Sequence, residues 1–332
     1  MKFSFRLTVI FAILFFPFDG FTSAQANPVE ISEWQVPWEN TRPRDPYVDG
    51  KGRVWFCGQG GGYLAYLNPT SGKFIKYDLE KGAGPHNLIV DNDGFVWFAG
   101  NRNAYIGQLN STSGEIIRYP MPNKEAGDPH TLVFDSAGNI WFTVQHGNFI
   151  GKLMVETGEV KLIKIPTQNA RPYGIGVDSN DRPWIVLFGS YKLATVNPDT
   201  MMLEEYELPS KNSKPRRLAI TSDGKIWYVD YAEGFLGRFD PGKKKFKQWL
   251  LPGGKDSYPY AMTVDDKNNL WFVETGSMPN RLVGFNTSIK KFFSITEIPS
   301  GAGSVRHMIF HKPSGELWFG EDSNYIARAK IK

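Results

Sequence analysis

The chain has 332 residues, enough for one large domain or two medium ones. Hydrophobic residues make up 41% and charged residues 22%, which excludes a disordered chain and permits a sizeable core. The net charge of +4 is small for this length and no long basic block occurs, so nucleic acid is excluded as an expected partner.

In chain order, the first segment reads as an address rather than as structure. Lys2 and Arg6 precede a ten-residue apolar run, Leu7 to Phe16, and Ala24-Gln25-Ala26 follows as a small-residue cleavage signal. This pattern predicts a secretory signal peptide over 1–26, cleaved near Ala26, and a secreted or periplasmic protein. The run is too short to span a bilayer, and no later apolar stretch reaches spanning length, so no membrane span is expected. The mature chain, 27–332, is expected to be a single domain. Cys57 is the only cysteine, so neither an intrachain disulfide nor a Cys/His metal cluster can be built. It lies in the apolar run Val54-Trp55-Phe56-Cys57 and reads as a buried, inert thiol.

One pattern then recurs seven times, approximately P-[HYR]-x-[LIM]-x-[VI]-D-x-x-G-x-[ILV]-W-[FYI]. Its tryptophans are Trp55, Trp97, Trp141, Trp184, Trp227, Trp271 and Trp318, spaced 42 to 47 residues apart. Each unit reads as four short strands. In the second, His86–Asp91 is followed by the turn Asn92-Asp93-Gly94, then by Phe95–Phe98, Tyr105–Leu109 and Ile116–Tyr119. Four strands per period of this length predict an all-β, seven-bladed β-propeller. The last unit stops at Lys332 without a fourth strand. Ile31–Pro37 resembles the fourth strands elsewhere and is predicted to complete the last blade, closing the ring and hiding both edges. A monomer is expected.

One repeat position varies chemically. At the start of the inner strands, usually after proline, stand Arg44, His86, His130, Tyr173, Arg216, Tyr260 and His307. Arg171, Arg217 and Arg306 are sequence neighbours. In a propeller these side chains converge on one mouth of the central channel, where a positive, hydrogen-bonding ring suits an anionic or carbonyl-bearing ligand. Arg44, His86, His130, Tyr173, Arg216 and Arg306 are the expected substrate-binding residues; such residues can equally tie strands together. Three residues after each tryptophan a second row holds Gly58, Gly100, Val144, Leu187, Asp230, Glu274 and Glu321. Its acids are confined to the last three blades. They offer an acid, a base and ligands for a hard cation, or else they simply satisfy neighbouring Arg and His.

The repeat, followed by Ile-Gly-[KQ]-Leu, resembles the streptogramin B lyase (virginiamycin B lyase) family. It reads Pro85-His86-Asn87-Leu88 to Ile106-Gly107-Gln108-Leu109, and again Pro129-His130 to Ile150-Gly151-Lys152-Leu153. The resemblance covers residues 31–332. It implies a seven-bladed propeller and eliminative opening of a cyclic depsipeptide with magnesium. It also implies a catalytic group of two histidines at the ring position of consecutive late blades and two glutamates. The second histidine falls on His307 and one glutamate, 14 residues on, falls on Glu321. Tyr260 stands at the first histidine and Val305 at the other glutamate.

The expectation from these residues is a lyase of the β-elimination type acting on a small-molecule, glycan or peptide substrate with an anionic or ester group. Tyr260 and His307 would be base and acid, Glu321 would orient His307, and Glu321 with Glu274 would hold magnesium. The alternative is a non-catalytic binding propeller of the cell envelope.

Overall fold

The computed structural model describes residues 27–331; the signal segment expected at 1–26 lies outside the described residues. The described residues form 28 strands in seven four-stranded antiparallel sheets. Apart from two short 3-10 turns, Lys124–Ala126 and Gly254–Ser257, no helix occurs among them.

The repeat has a local cause. In the second blade, Asp91 ends the inner strand Pro85–Val90. One of its carboxylate oxygens accepts from the backbone N–H groups of Asp93 (3.0 Å) and Phe95 (2.9 Å). The other accepts from Trp97 Nε1 at 2.7 Å. The carboxylate thus sets the turn and pins the tryptophan of the next strand. Asp49 holds Trp55, Asp178 holds Trp184 and Asp265 holds Trp271 in the same way, and Thr221 substitutes for Trp227. Gly94 has φ of 86°, which the turn requires and a side chain disfavours. Gly107 must be glycine for a different reason: a Cβ there would approach Phe98 Cζ to 2.3 Å. Buried aromatic and branched side chains fill the space between adjacent blades.

The ring closes as expected. Glu30–Gln35 pairs antiparallel with Tyr325–Lys330 along its whole length, and Trp34 stacks on Trp318 with centroids 5.5 Å apart. Each inner strand packs against the next. The first, Pro43–Val48, packs against both the second, Pro85–Val90, and the last, Val305–His311.

All seven inner strands carry a bulge near their start. In the sixth blade Pro259 pairs with Glu274 and Met262 with Phe272, so Tyr260 and Ala261 together oppose Val273. The other six shift register at the corresponding point. A bulge re-aims two consecutive side chains. Here it brings two rows, the ring position and the residue after it, to the channel.

Candidate functional site at the channel mouth

The register corrects one expected position. In the last blade Val305 pairs with Glu321 and Met308 with Phe319. Val305 therefore corresponds to Pro259, and Arg306, not His307, stands at the ring position matching Tyr260. His307 belongs to the following row with Asp45, Asn87, Thr131, Gly174, Arg217 and Ala261.

This second row spans the channel. The Asp45 carboxylate, fully buried, receives Arg44 Nε at 2.9 Å, Asn87 Nδ2 at 2.9 Å and Arg217 Nη2 at 3.4 Å. Arg217 also donates to Thr131 Oγ1 (3.1 Å) and to the Arg306 carbonyl (3.1 Å), and Asn87 Oδ1 accepts from Leu132 N (2.8 Å). One arginine of the fifth blade thereby joins the first, third and seventh. Burial alone would raise the Asp45 pKa; Arg44, His307 and Arg217 reverse this and hold it well below the usual carboxylate range. The row is polar where it crosses the channel and small at Gly174 and Ala261. Its charge at Asp45 and Arg217 was visible in the sequence, but only the bulge turns it inward.

The expected histidines are neutral here. Burial and then the guanidinium of Arg44 push His86 well below the ordinary imidazole value. Burial and then Arg217 do the same to His130. His86 and His130 stack with centroids 3.6 Å apart, and His130 meets Tyr173 at 4.2 Å. His307 retains some exposed surface, yet its enclosure, with Arg217 beside it, lowers its pKa to about 4.

The phenols behave differently. Tyr173 and Tyr260 are both buried and hydrogen-bond hydroxyl to hydroxyl. Burial raises the Tyr260 pKa, but the guanidinium of Arg216, followed by those of Arg44, Arg306 and Arg217, outweighs it and brings the phenol down to about 7. Burial raises Tyr173, next to the developing negative charge on Tyr260. The two phenols therefore titrate as a coupled pair with one acidic proton, and the surrounding guanidinium groups stabilise the charge its loss leaves. Arg216 lies over the Tyr260 ring at 3.7 Å, and also over Tyr231 at 4.4 Å and Phe188 at 4.6 Å.

Those last two rings lead to the surface. Phe188, Tyr231, Tyr258, Asn169, Arg171 and Lys214 line an open cleft of about 710 Å³ over the fourth to sixth blades. None of the residues lining it is acidic. The sequence reading reached Arg171 only as a neighbour of the ring and missed the others. Their signal is the position four residues after the repeat tryptophan, which is aromatic only at Phe188 and Tyr231.

The acid row is committed to local hydrogen bonds within its own blades and loops. Glu274 Oε1 accepts from Gly253 N at 2.8 Å and its Oε2 from Arg281 Nη2 at 2.5 Å. Glu321 Oε2 accepts from Ser300 Oγ at 2.5 Å and Ser323 Oγ at 2.9 Å. Asp230 Oδ1 accepts from the backbone of Lys214, Ala232 and Glu233. None of these hydrogen bonds reaches His307, so Glu321 does not orient it. Glu321 and Glu274 stand in different blades, and the Arg281 guanidinium already occupies Glu274. No group of three His, Cys, Asp or Glu suited to a metal gathers among the described residues. This pair does not fit a shared magnesium ion. Arg306, expected to bind substrate, is instead held by Asp322 through Nε (3.0 Å) and Nη2 (2.5 Å).

A closed seven-bladed propeller with a polar, cationic channel mouth is thus defined. Residues 23–254 match the virginiamycin B lyase family, and the chain belongs to that family. A solved streptogramin B lyase is similar, with 24% identity, a TM-score of 0.82, and 91% of this chain and 98% of that chain covered. A virginiamycin B lyase from Staphylococcus aureus shows 22% identity and a TM-score of 0.82, covering 91% and 99%. Hydrazine synthase from Kuenenia stuttgartiensis, at 13% identity and a TM-score of 0.74, covers 89% and 97%. At these identities the structural likeness carries the fold alone. No curated protein sequence matches the chain. No helix among the described residues is long and apolar enough to cross a membrane.

Proposed function

We propose that this protein is an exported, monomeric lyase that eliminates across a carbon–oxygen bond of a carboxylate-bearing small molecule, with Tyr260 as its base. The observation carrying this is the acidified Tyr260 phenol at the row where the family resemblance implies a histidine, joined through Arg216 to an acid-free cleft. Removal of a proton next to a carbonyl needs a base whose pKa lies near the working pH. The Tyr260 phenolate takes that proton, the freed electron pair forms the carbon–carbon double bond, and the bond to the leaving oxygen breaks. The phenol then returns its proton to that oxygen. Arg216 neutralises the substrate carboxylate as negative charge builds on it, which is the electrostatic half of the catalysis. Arg306, fixed by Asp322, holds the phenolate charge from the other side. Export is supported by Lys2, Arg6, the Leu7–Phe16 run and Ala24-Gln25-Ala26.

Ligand binding without turnover is the alternative, and one observation favours it. Tyr260 is only 2% exposed, so substrate reaches it only if Arg216 shifts. An extracellular domain of a protein described as a one-component system from B. thetaiotaomicron shares the fold at 12% identity and a TM-score of 0.68. The test uses quinupristin and short oligouronates, following absorbance of a new conjugated double bond. Product formed by the wild type and lost in Tyr260→Phe supports the lyase. Product formed equally by Tyr260→Phe refutes the assignment of the base, and binding without product supports the alternative.

A further inference from the structure

The seven blades are near copies, so a place where one sector departs from the others is informative. The residue four after each repeat tryptophan sits at the channel entrance and reads Gln59, Asn101, Gln145, Phe188, Tyr231, Thr275 and Asp322 around the ring. Three blades carry an arginine at the ring position, and each arginine meets this residue of its own blade. Arg44 donates to Gln59 Oε1 at 3.1 Å, and Arg306 forms its ion pair with Asp322. Arg216 instead lies on the face of Tyr231, and no ion pair joins it to any carboxylate among the described residues. The group its charge does meet is the Tyr260 phenol, which that charge makes acidic.

The linkers repeat the departure. Asn40-Thr41-Arg42-Pro43 and Asn169-Ala170-Arg171-Pro172 are alike, with Asn and Arg in the left-handed region in both. Arg42 lies 4.0 Å from Asp322 of the blade before it. The blade before Arg171 carries Gln145 at that position, and Arg171 has no carboxylate partner among the described residues. Lys214 likewise has none; its ammonium reaches only the Gly189 carbonyl, at 3.4 Å. Two cations without a carboxylate partner, Arg171 and Lys214, therefore line one cleft, with Arg216 beneath them. The same cleft holds the entrance row's two aromatic residues, with Tyr258 tilted against Tyr231 at a centroid distance of 5.3 Å and 41% exposed at the rim. The other two ring-position arginines, Arg44 and Arg306, are paired with Asp45 and Asp322.

We propose that this cleft binds a planar, π-faced ring bearing a carboxylate, the ring against Tyr231 and Tyr258 and the carboxylate with Arg171 and Lys214. A free cation is disfavoured by the three positive groups, and a bare inorganic anion leaves the aromatic lining unused. The volume suits one such molecule. This rests on the reading that the cleft is the way to Tyr260, but binding is measured without turnover, so the two fail separately.

Titration calorimetry of the full mature chain with 4-hydroxyphenylacetate is the test, with propionate as carboxylate alone and 4-hydroxybenzyl alcohol as ring alone. The expected result is binding of 4-hydroxyphenylacetate, with both controls weaker by about tenfold or more. Lys214→Met and Tyr231→Leu should each weaken it by about tenfold, while Tyr260→Phe retains it. Lys214→Met changes only a half-exposed side chain and keeps the test valid if Tyr231→Leu does not fold. No binding by the wild type, equal binding of either control, or unchanged affinity in Lys214→Met overturns the proposal.

Discussion

Asp45→Asn is the most revealing single change, because it removes one charge and little volume. Asp45 is wholly enclosed and is the carboxylate that Arg44 and Arg217 share in the channel. Taking away one partner of a buried ion pair leaves the other charge desolvated and costs about 3–5 kcal/mol. A typical domain has only about 5–15 kcal/mol in total, so the loss is visible in a urea titration followed by tryptophan fluorescence. Arg217→Met in the Asp45→Asn background should recover part of it, since the surplus charge then leaves as well. Acidity supplies a second readout. The folded-state pKa of Asp45 is depressed, so its contribution is complete above the unfolded value of about 3.9 and is lost as pH falls toward the folded value. Wild-type stability should decline below about pH 4 more steeply than that of Asp45→Asn. An Asp45→Asn midpoint within about 1 kcal/mol of wild type, or an Arg217→Met effect independent of residue 45, would refute the keystone role.

Difference titration of phenolate absorbance between wild type and Tyr260→Phe should show one group ionising near pH 7, and lyase rate should rise through the same range as the base forms. Glu321 is pushed up to about 8 by burial, with Glu33 adding to this against the Ser300 and Ser323 hydroxyls. Its folded pKa lies above the unfolded one, so its contribution is full below about 4.3 and falls as pH rises toward 8; Glu321→Gln should flatten that slope in thermal melts at successive pH values. Asp91→Ala leaves the Trp97 indole and two turn amides without their acceptor and should cost about 2–4 kcal/mol in urea, whereas His311→Ala, at the equivalent position with no tryptophan bond, should cost under about 1 kcal/mol. Trp34→Ala removes the half-buried ring stacked on Trp318 beneath Arg328 and should lower stability by about 2 kcal/mol, loosening the closing strand first in hydrogen exchange.

The ring was legible because its causes are local. An aspartate that sets the turn and holds the tryptophan six residues on specifies the hairpins of the first, second, fourth and sixth blades by direct bonding, and seven copies at nearly one spacing specify the closure. The displaced strand at Ile31–Pro37 was legible for the same reason: strand content had to balance. The site was legible only in composition. The ring residues do converge, yet the sequence does not say that bulges turn two rows inward, which is how Asp45 and Arg217 enter the channel. Nor does it say that the acids at 230, 274 and 321 are taken up by neighbouring loop amides and side chains. Hairpin partners lie on one ladder, but their side chains need not share a face.

The last hairpin carries one extra residue. In the sixth blade Val264 pairs with Leu270 around five intervening residues, whereas in the seventh Phe310 pairs with Leu317 around six. The longer turn begins at His311, which stands where the other blades carry Asp or Thr, and leads to Trp318, whose Nε1, like that of Trp141 in the third blade, has no partner. It also adds one residue to any count made along the chain. Fourteen residues before Glu274 is Tyr260, the ring position; fourteen before Glu321 is His307, one place past it. Counted by strand pairing, the two consecutive ring positions hold Tyr260 and Arg306. An arginine cannot accept a proton at any ordinary pH, and this one is fixed to Asp322. Of these two positions only the phenol can exchange a proton, and the arginines around it make that phenol acidic.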